Sequence, residues 1–363
     1  MRVLHLDSGA DWRGGQQQVL YLAEGLKSFP VEQHLIVRAG SSLSKRLQPL
    51  GLPVIALPFH SEWGPLSLFG LLGVIRKTRP QVIHAHDSRT LGMAVLLKAA
   101  GCYFHLVASR RVAFPLNANP LWRLKYQKFP DRIIAVSRHI RELLVQQGIA
   151  PGKVQVIHDG LLLPVTPGPE ERRSARRHFG LADGELLIGT AGQFTREKGH
   201  EVLIRAFRAM ADQQPGIRLL LLGDGPLRSR LSDLARSLGL QDKVLLQRAD
   251  CDLGKVFPAL DLFVYPSLVE GLGSVLLLAM AYRIPVCASR TGGIPELVVQ
   301  GETGFLVPPG EPSSLAEQVL KILRKPDGLK EMVERAYQRV NSEFNAARMV
   351  SQTFNVYTNL LGT

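Results

Sequence analysis

Cysteine is scarce in this chain of 363 residues: there are three, Cys102, Cys251 and Cys287. An odd number, dispersed and set in apolar surroundings, cannot build a disulfide framework, which predicts a reducing compartment. Long hydrophobic runs are missing too. The longest, residues 66–75, is half of the ~20 residues that a membrane span needs. The first seven residues run directly into a strand pattern, without the apolar core and cleavage site of a secretory signal. The expectation is a protein that stays in the cytoplasm and does not cross the bilayer. There is no low-complexity tract and no fixed short repeat. Helix-turn-helix, zinc-finger and RNP-like patterns are absent as well, so nucleic acid is not an expected partner.

Acidic residues are short in one half only. The net charge is +13; residues 1–165 carry 20 Lys and Arg against 9 Asp and Glu, whereas residues 166–363 carry 24 against 22. A surplus of one sign confined to the first half points to an anionic partner. An anionic membrane surface, or a phosphorylated lipid or glycan acceptor, fits, because a basic cluster gains about 1 kcal/mol per Lys or Arg near such a surface. A solvated basic face without a partner is the alternative.

What the chain has in quantity is short apolar runs punctuated by glycine and proline. Runs at 2–6, 33–37, 54–57, 82–85, 105–108 and 133–136, then at 186–190, 218–222, 244–247, 262–265 and 285–288, have the length of buried parallel strands. Amphipathic stretches such as 16–27 lie between them. That alternation predicts an α/β fold of parallel sheets covered by helices. Three prolines between residues 164 and 169 mark a stiff linker, so two domains are expected.

The most informative stretch is Glu270-Gly-Leu-Gly-Ser-Val-Leu-Leu-Leu278-Ala-Met-Ala, followed by Gly292-Gly293-Ile-Pro295-Glu296 and Gly301-Glu-Thr-Gly304-Phe-Leu-Val. A strand, a glycine loop and a helix leave backbone N–H groups free at the helix start, where the macrodipole favours an anion. The small Gly271 and Gly273 let that anion come close. Upstream stand Trp12-Arg-Gly14-Gly15-Gln-Gln-Gln-Val19, Gly192-Gln193-Phe-Thr-Arg196-Glu-Lys198-Gly199 and Leu222-Gly-Asp224-Gly-Pro226.

In this order the pieces resemble the GT-B-fold retaining glycosyltransferases of family 4, and the resemblance covers nearly the whole chain. It implies two Rossmann-like, doubly wound domains facing across a cleft. The first, over 1–166, would bind the acceptor and be joined by a returning helix at about 345–363; the second, over 167–344, would bind the nucleotide-sugar donor. The resemblance assigns Glu270 to the donor sugar's hydroxyls, and Lys198 with Arg196 to the departing diphosphate. Gln193 stands where the family has Arg or Gln. Gly271, Leu272, Gly273 and Ser274, with Gly14 and Gly15 from the first domain, would hold sugar and phosphates. His86, Asp87, Arg110 and Arg111, at two strand ends of the first domain, are assigned to the acceptor. Relatives place a histidine near the second of these ends; the arginines found here suit a phosphate or a carboxylate.

No metal and no separate cofactor is expected, a UDP- or GDP-sugar being a substrate. Asp250-Cys251-Asp252 copies the D-x-D of divalent-metal enzymes, but falls where relatives carry a variable polar turn. One family position departs. The second glutamate, which accepts the ribose hydroxyls in relatives, is Leu278 here, a loss worth about 1.5–3 kcal/mol per charged hydrogen bond. The expected function is metal-independent hexosyl transfer from a nucleotide sugar to a lipid-linked, lipopolysaccharide or polysaccharide acceptor, at the inner face of the cytoplasmic membrane. The alternative is a sugar-nucleotide- or glycan-binding homologue without turnover. A stripe of Trp122, Tyr126 and Phe129 with interleaved cations fits a membrane interface or a helix packed on its own sheet.

Overall fold

The computed structural model describes residues 1–59, 64–114, 120–248 and 253–362, with the backbone alone at 120–122 and 326–327. It divides into two units, Met1–Leu162 with Asn345–Thr363, and Leu163–Phe344. Asp250, Cys251 and Asp252, and the side chain of Trp122, lie outside the described residues.

The first unit holds β1 (Arg2–Asp7), β2 (Glu32–Arg38), β3 (Val54–Leu57), β4 (Val82–Ala85), β5 (His105–Arg110), β6 (Arg132–Ala135) and β7 (Val154–Val156), in the order β3-β2-β1-β4-β5-β6-β7. All neighbours run parallel. A parallel sheet has helices on both faces, so its central strands are apolar throughout; every residue of β4 is buried, His84 included. The strand order reverses between β1 and β4, where the carboxyl ends diverge and leave room for a ligand. The helix Ala346–Leu361 packs on the helix Gly14–Gly25. Its Met349, Val350, Val356 and Tyr357 join Val3, Leu22, Leu26, Val82 and Val107 in one core cluster.

The second unit holds β8 (Leu186–Ala191), β9 (Ile217–Leu222), β10 (Val244–Gln247), β11 (Leu262–Tyr265), β12 (Val286–Ser289) and β13 (Phe305–Val307), also all parallel, in the order β10-β9-β8-β11-β12-β13. Its reversal lies between β8 and β11, with Leu262 opposite Ile188. The leucine run of β9 is the sheet's interior. Leu219, Leu220, Leu221 and Leu222 are fully buried, and Leu219 and Leu221 lie under Phe207 and Met210 of the helix His200–Gln213 in the unit's core cluster.

The stripe at 122–129 resolves in part: Tyr126 is buried and Phe129 half-buried. A ring buried inside its own unit cannot dip into a bilayer, so Tyr126 belongs to the core. No helix among the described residues is long and apolar enough to cross a membrane.

Candidate active site

In the second unit four loops meet at the carboxyl ends of β8, β9, β11 and β12. The turn Arg196–Lys198 is one turn of 3-10 helix, and the Glu197 carbonyl accepts from the Leu268 N–H at 2.7 Å, tying it to the loop after β11. Gly199 closes that turn with φ +67°, and a Cβ there would sit 2.0 Å from the Pro266 carbonyl oxygen, so only glycine allows the approach. Gly292 does the same on the other side: at φ +56°, its Cβ would lie 1.8 Å from the Glu270 carbonyl oxygen. The Gly192 loop joins the Gly223 loop through the Phe194 N–H, which donates to the Asp224 carbonyl at 2.9 Å.

These approaches put Lys198 against Glu270. The ammonium donates to Glu270 Oε2 at 2.6 Å and to the Tyr265 hydroxyl at 3.1 Å. Tyr265 in turn donates to the same Oε2 at 2.6 Å, and Ser267 Oγ lies 3.3 Å from it. The Gly271 N–H donates to Oε1 at 3.0 Å. The side chains are 23% and 11% exposed for Lys198 and Glu270, so the pair is sheltered from water yet reachable. Burial alone would depress the ammonium, but Tyr265 and the Glu270 carboxylate outweigh it and hold Lys198 above its ordinary value. Burial, then Glu270, raises the Tyr265 phenol, which stays protonated at every ordinary pH. His200, at the foot of the cluster, is depressed to about 4 by burial and by Lys198, and is a neutral imidazole at pH 7. The atoms His200 Nδ1, Thr190 Oγ1 and Thr195 Oγ1 are buried there without a hydrogen-bond partner among the described residues.

The remaining donor candidates flank this cluster. Arg196 and Gln193 are exposed. Gly271, Leu272 and Gly273 are buried and Ser274 half-buried, just ahead of the helix Val275–Ala281. Leu278 is the half-buried residue in a stretch where Leu276, Leu277, Ala279 and Met280 are all buried. It stands one turn beyond Ser274, on the same helix face.

In the first unit the loop after β1 is held by two carboxylates. Asp7 accepts from the Gly9 N–H at 2.9 Å and from Gln16 Nε2 at 3.0 and 3.1 Å. Asp87 accepts from the N–H and hydroxyl of Ser8 at 2.7 and 3.0 Å, and caps the helix Ser88–Ala99 through the Thr90 N–H. Burial, then Asp87, raises Asp7 to about 6, against the opposing pull of Gly9 and Gln16. Beside them opens a cavity of about 550 Å³ whose rim carries Arg13, Arg38 and Arg89. Gly14 and Gly15 begin the helix Gly14–Gly25, and Gly14 has open space before it.

Of the four acceptor candidates, Asp87 lines this cavity. Arg110 turns to the Phe114 carbonyl at 2.5 Å, and Arg111 pairs with Asp159 at 3.3 Å. His86 is not a lone strand-end histidine. Its Nε2 is 3.1 Å from His5 Nδ1, and His84 bonds Tyr357 at 2.6 Å and Ser109 at 2.8 Å. Burial first holds all three imidazoles well below their ordinary values, His5 at about 3, so they are neutral at pH 7. Among the described residues these three form a group whose nitrogens lie within 4.8 Å of one another. Linear spacing could not reveal it, since His5 meets His84 only through the β1–β4 register. Tyr265 was hidden for a similar reason, reading simply as the end of an apolar strand.

Comparison with known proteins agrees over both units. Residues 12–161 match the family Glycosyltransferase Family 4, and residues 171–339 match Glycosyl transferases group 1. N-acetyl-alpha-D-glucosaminyl L-malate synthase of Bacillus anthracis is 30% identical over 186 residues, covering 51% of this chain and 49% of that one. D-inositol 3-phosphate glycosyltransferase of Mycobacteroides abscessus is 34% identical over 203 residues, covering 53% of this chain and 44% of that one. The chain thus spans about half the length of these curated relatives. The crystal structure of HepE from Anabaena in complex with UDP-glucose superposes with a TM-score of 0.89 at 20% identity, over 99% of this chain and 100% of that one.

Proposed function

The chain belongs to glycosyltransferase family 4, with the two parallel α/β units of the GT-B fold, and from that membership we propose that it transfers a hexose from a UDP- or GDP-sugar to an anionic acceptor with retention of configuration. The observation that carries the reading is the Lys198–Glu270 contact at the reversal of the second sheet. A fixed cation and a carboxylate side by side match the two demands of the reaction: charge builds on the leaving diphosphate, and the sugar hydroxyls need an acceptor. In the reaction the bond from the anomeric carbon to the diphosphate oxygen breaks and a bond to the acceptor oxygen forms on the same face. The acceptor's proton passes to an oxygen of the leaving diphosphate, so no protein base is required. Lys198, with Arg196 from the same turn, stabilises that leaving group. Backbone N–H groups of Leu272 and Gly273, with Ser274, hold the sugar and phosphates, while the Gly271 N–H stays on Glu270. No metal takes part in this scheme.

The arginines around the first-unit cavity support an acceptor bearing phosphate or carboxylate, such as a phosphorylated glycan or a lipid-linked one. The relatives named for L-malate and inositol 3-phosphate fit the same chemistry. Leu278 favours a second reading, a sugar-nucleotide-binding homologue without turnover, because the ribose lacks its usual carboxylate. Incubation with UDP- and GDP-sugars plus acceptor separates the two: free nucleoside diphosphate accumulates if sugar is transferred, and binding without release means that the transferase reading is wrong.

The lipid-facing part of the proposal rests on the basic first unit and on the helix Pro65–Thr78. That helix exposes Leu66 and Phe69, at 76% and 72%, and carries Arg76 and Lys77 in its last turn. In this reading the protein attaches to the inner face of the cytoplasmic membrane, with support from an apolar helix face that could insert and a basic unit that is attracted to anionic headgroups. Binding to acidic liposomes should weaken sharply as salt is raised, since such attraction is screened within about 8 Å at physiological ionic strength. Co-sedimentation that ignores salt, or that fails altogether, moves the charge to the acceptor cavity instead.

A further inference from the structure

We propose that Tyr265 is a positioning residue that keeps Glu270 oriented while Lys198 turns to the donor's diphosphate. The proposal rests on the transferase reading above and adds a residue to it. Its basis is the direction of each hydrogen bond. An ammonium has protons to give and no lone pair, so in the 3.1 Å contact the Lys198 ammonium donates and the Tyr265 oxygen accepts. The single Tyr265 proton is therefore directed at Glu270 Oε2, 2.6 Å away. Lys198 reaches that same oxygen directly, which closes a three-membered ring of fixed polarity.

The ring has a consequence once a diphosphate arrives. Lys198 cannot serve a new anion fully while its charge is shared with Glu270. When the diphosphate draws it away, Oε2 keeps the Tyr265 hydroxyl, with Ser267 more distant at 3.3 Å. Oε1 is held by the Gly271 N–H and has a second lone pair open for a sugar hydroxyl. Tyr265 thus lets the cation leave without the carboxylate rotating. The phenol suits this task because it is held protonated by burial and by Glu270. Its ring stacks with Phe263 at a centroid separation of 6.2 Å, and a Cβ at Gly273 would lie 3.2 Å from its Cε1.

The test is Tyr265→Phe, which keeps the ring and removes the hydroxyl. With UDP- or GDP-sugar as donor, kcat should fall by roughly 10–100-fold, the range for one lost hydrogen bond to a charged group, while the donor KM stays within about threefold. In a Glu270→Ala background, which removes both acceptor oxygens, the same substitution should change the residual kcat less than about twofold, since Tyr265 acts through that carboxylate. Unchanged kcat in the single variant, or a full additional loss in the double, overturns the proposal. A readout that needs no turnover runs beside these. Urea unfolding of wild type, both single variants and the double should give clearly non-additive midpoints, and additive ones overturn the coupling. If the wild-type protein releases no nucleoside diphosphate, the transferase reading fails while the unfolding cycle still decides whether Tyr265 and Glu270 act as one unit.

Discussion

Replacing Lys198 by alanine should lower the rate of sugar transfer by about 10²–10³-fold, the loss seen when one preorganised donor is taken from developing negative charge. The cation is more effective than a surface lysine because its partners hold it charged in a sheltered pocket, where attraction to a diphosphate is weakly screened. The effect should fall mainly on kcat, since charge on the leaving oxygens grows toward the transition state. Stability changes as well. Without the ammonium, Glu270 is left with neutral donors only, at a cost of about 1–3 kcal/mol. Initial rates measured well below the variant's melting temperature separate the two effects. Wild-type turnover at that temperature would remove Lys198 from the mechanism.

Leu278→Glu should act in the opposite direction, tightening nucleoside diphosphate binding by about 1.5–3 kcal/mol, tenfold or more. The structure favours this outcome because Leu278 is half-buried while its helix neighbours are fully buried. A carboxylate there keeps contact with water, so the penalty of several kcal/mol for an unpaired buried charge does not arise. Its position one turn after Ser274 carries the new group along the face that follows the glycine loop. Calorimetric titration of UDP and GDP into both proteins, with melting of both, reads the result. Lower stability without a gain in affinity would mean that the ribose lies elsewhere than over this helix.

The strands were legible where an apolar run of four or more residues stands between turn formers, as at Val82–Ala85, Val244–Gln247 and Leu262–Tyr265, whose observed limits equal the expected ones. Strands β7 and β13 have three residues each, too few for any run to stand out, and neither was expected. Glu270 and Lys198 were legible as family positions, but their 2.6 Å contact was not. It depends on two loops brought together by Gly199 and Gly292, which carry no side chain to signal it. The histidine group follows from strand register, and Tyr357 reaches His84 from 273 residues away. Such contacts are properties of the sheet order, which a linear pattern does not contain.

The helix Ala346–Leu361 also bears on how the protein is made. A ribosome completes the whole of residues 163–344 before it reaches the segment that seals the first sheet. At 5–20 residues per second that is a wait of roughly 10–40 s. Throughout it, the seat of the helix, including Val3, Leu22, Leu26 and Val107, is an open apolar face on a nascent chain. The second unit, contiguous in sequence, has no such delay. Vulnerability to association and to proteolysis during synthesis is therefore concentrated on the half of the molecule translated first.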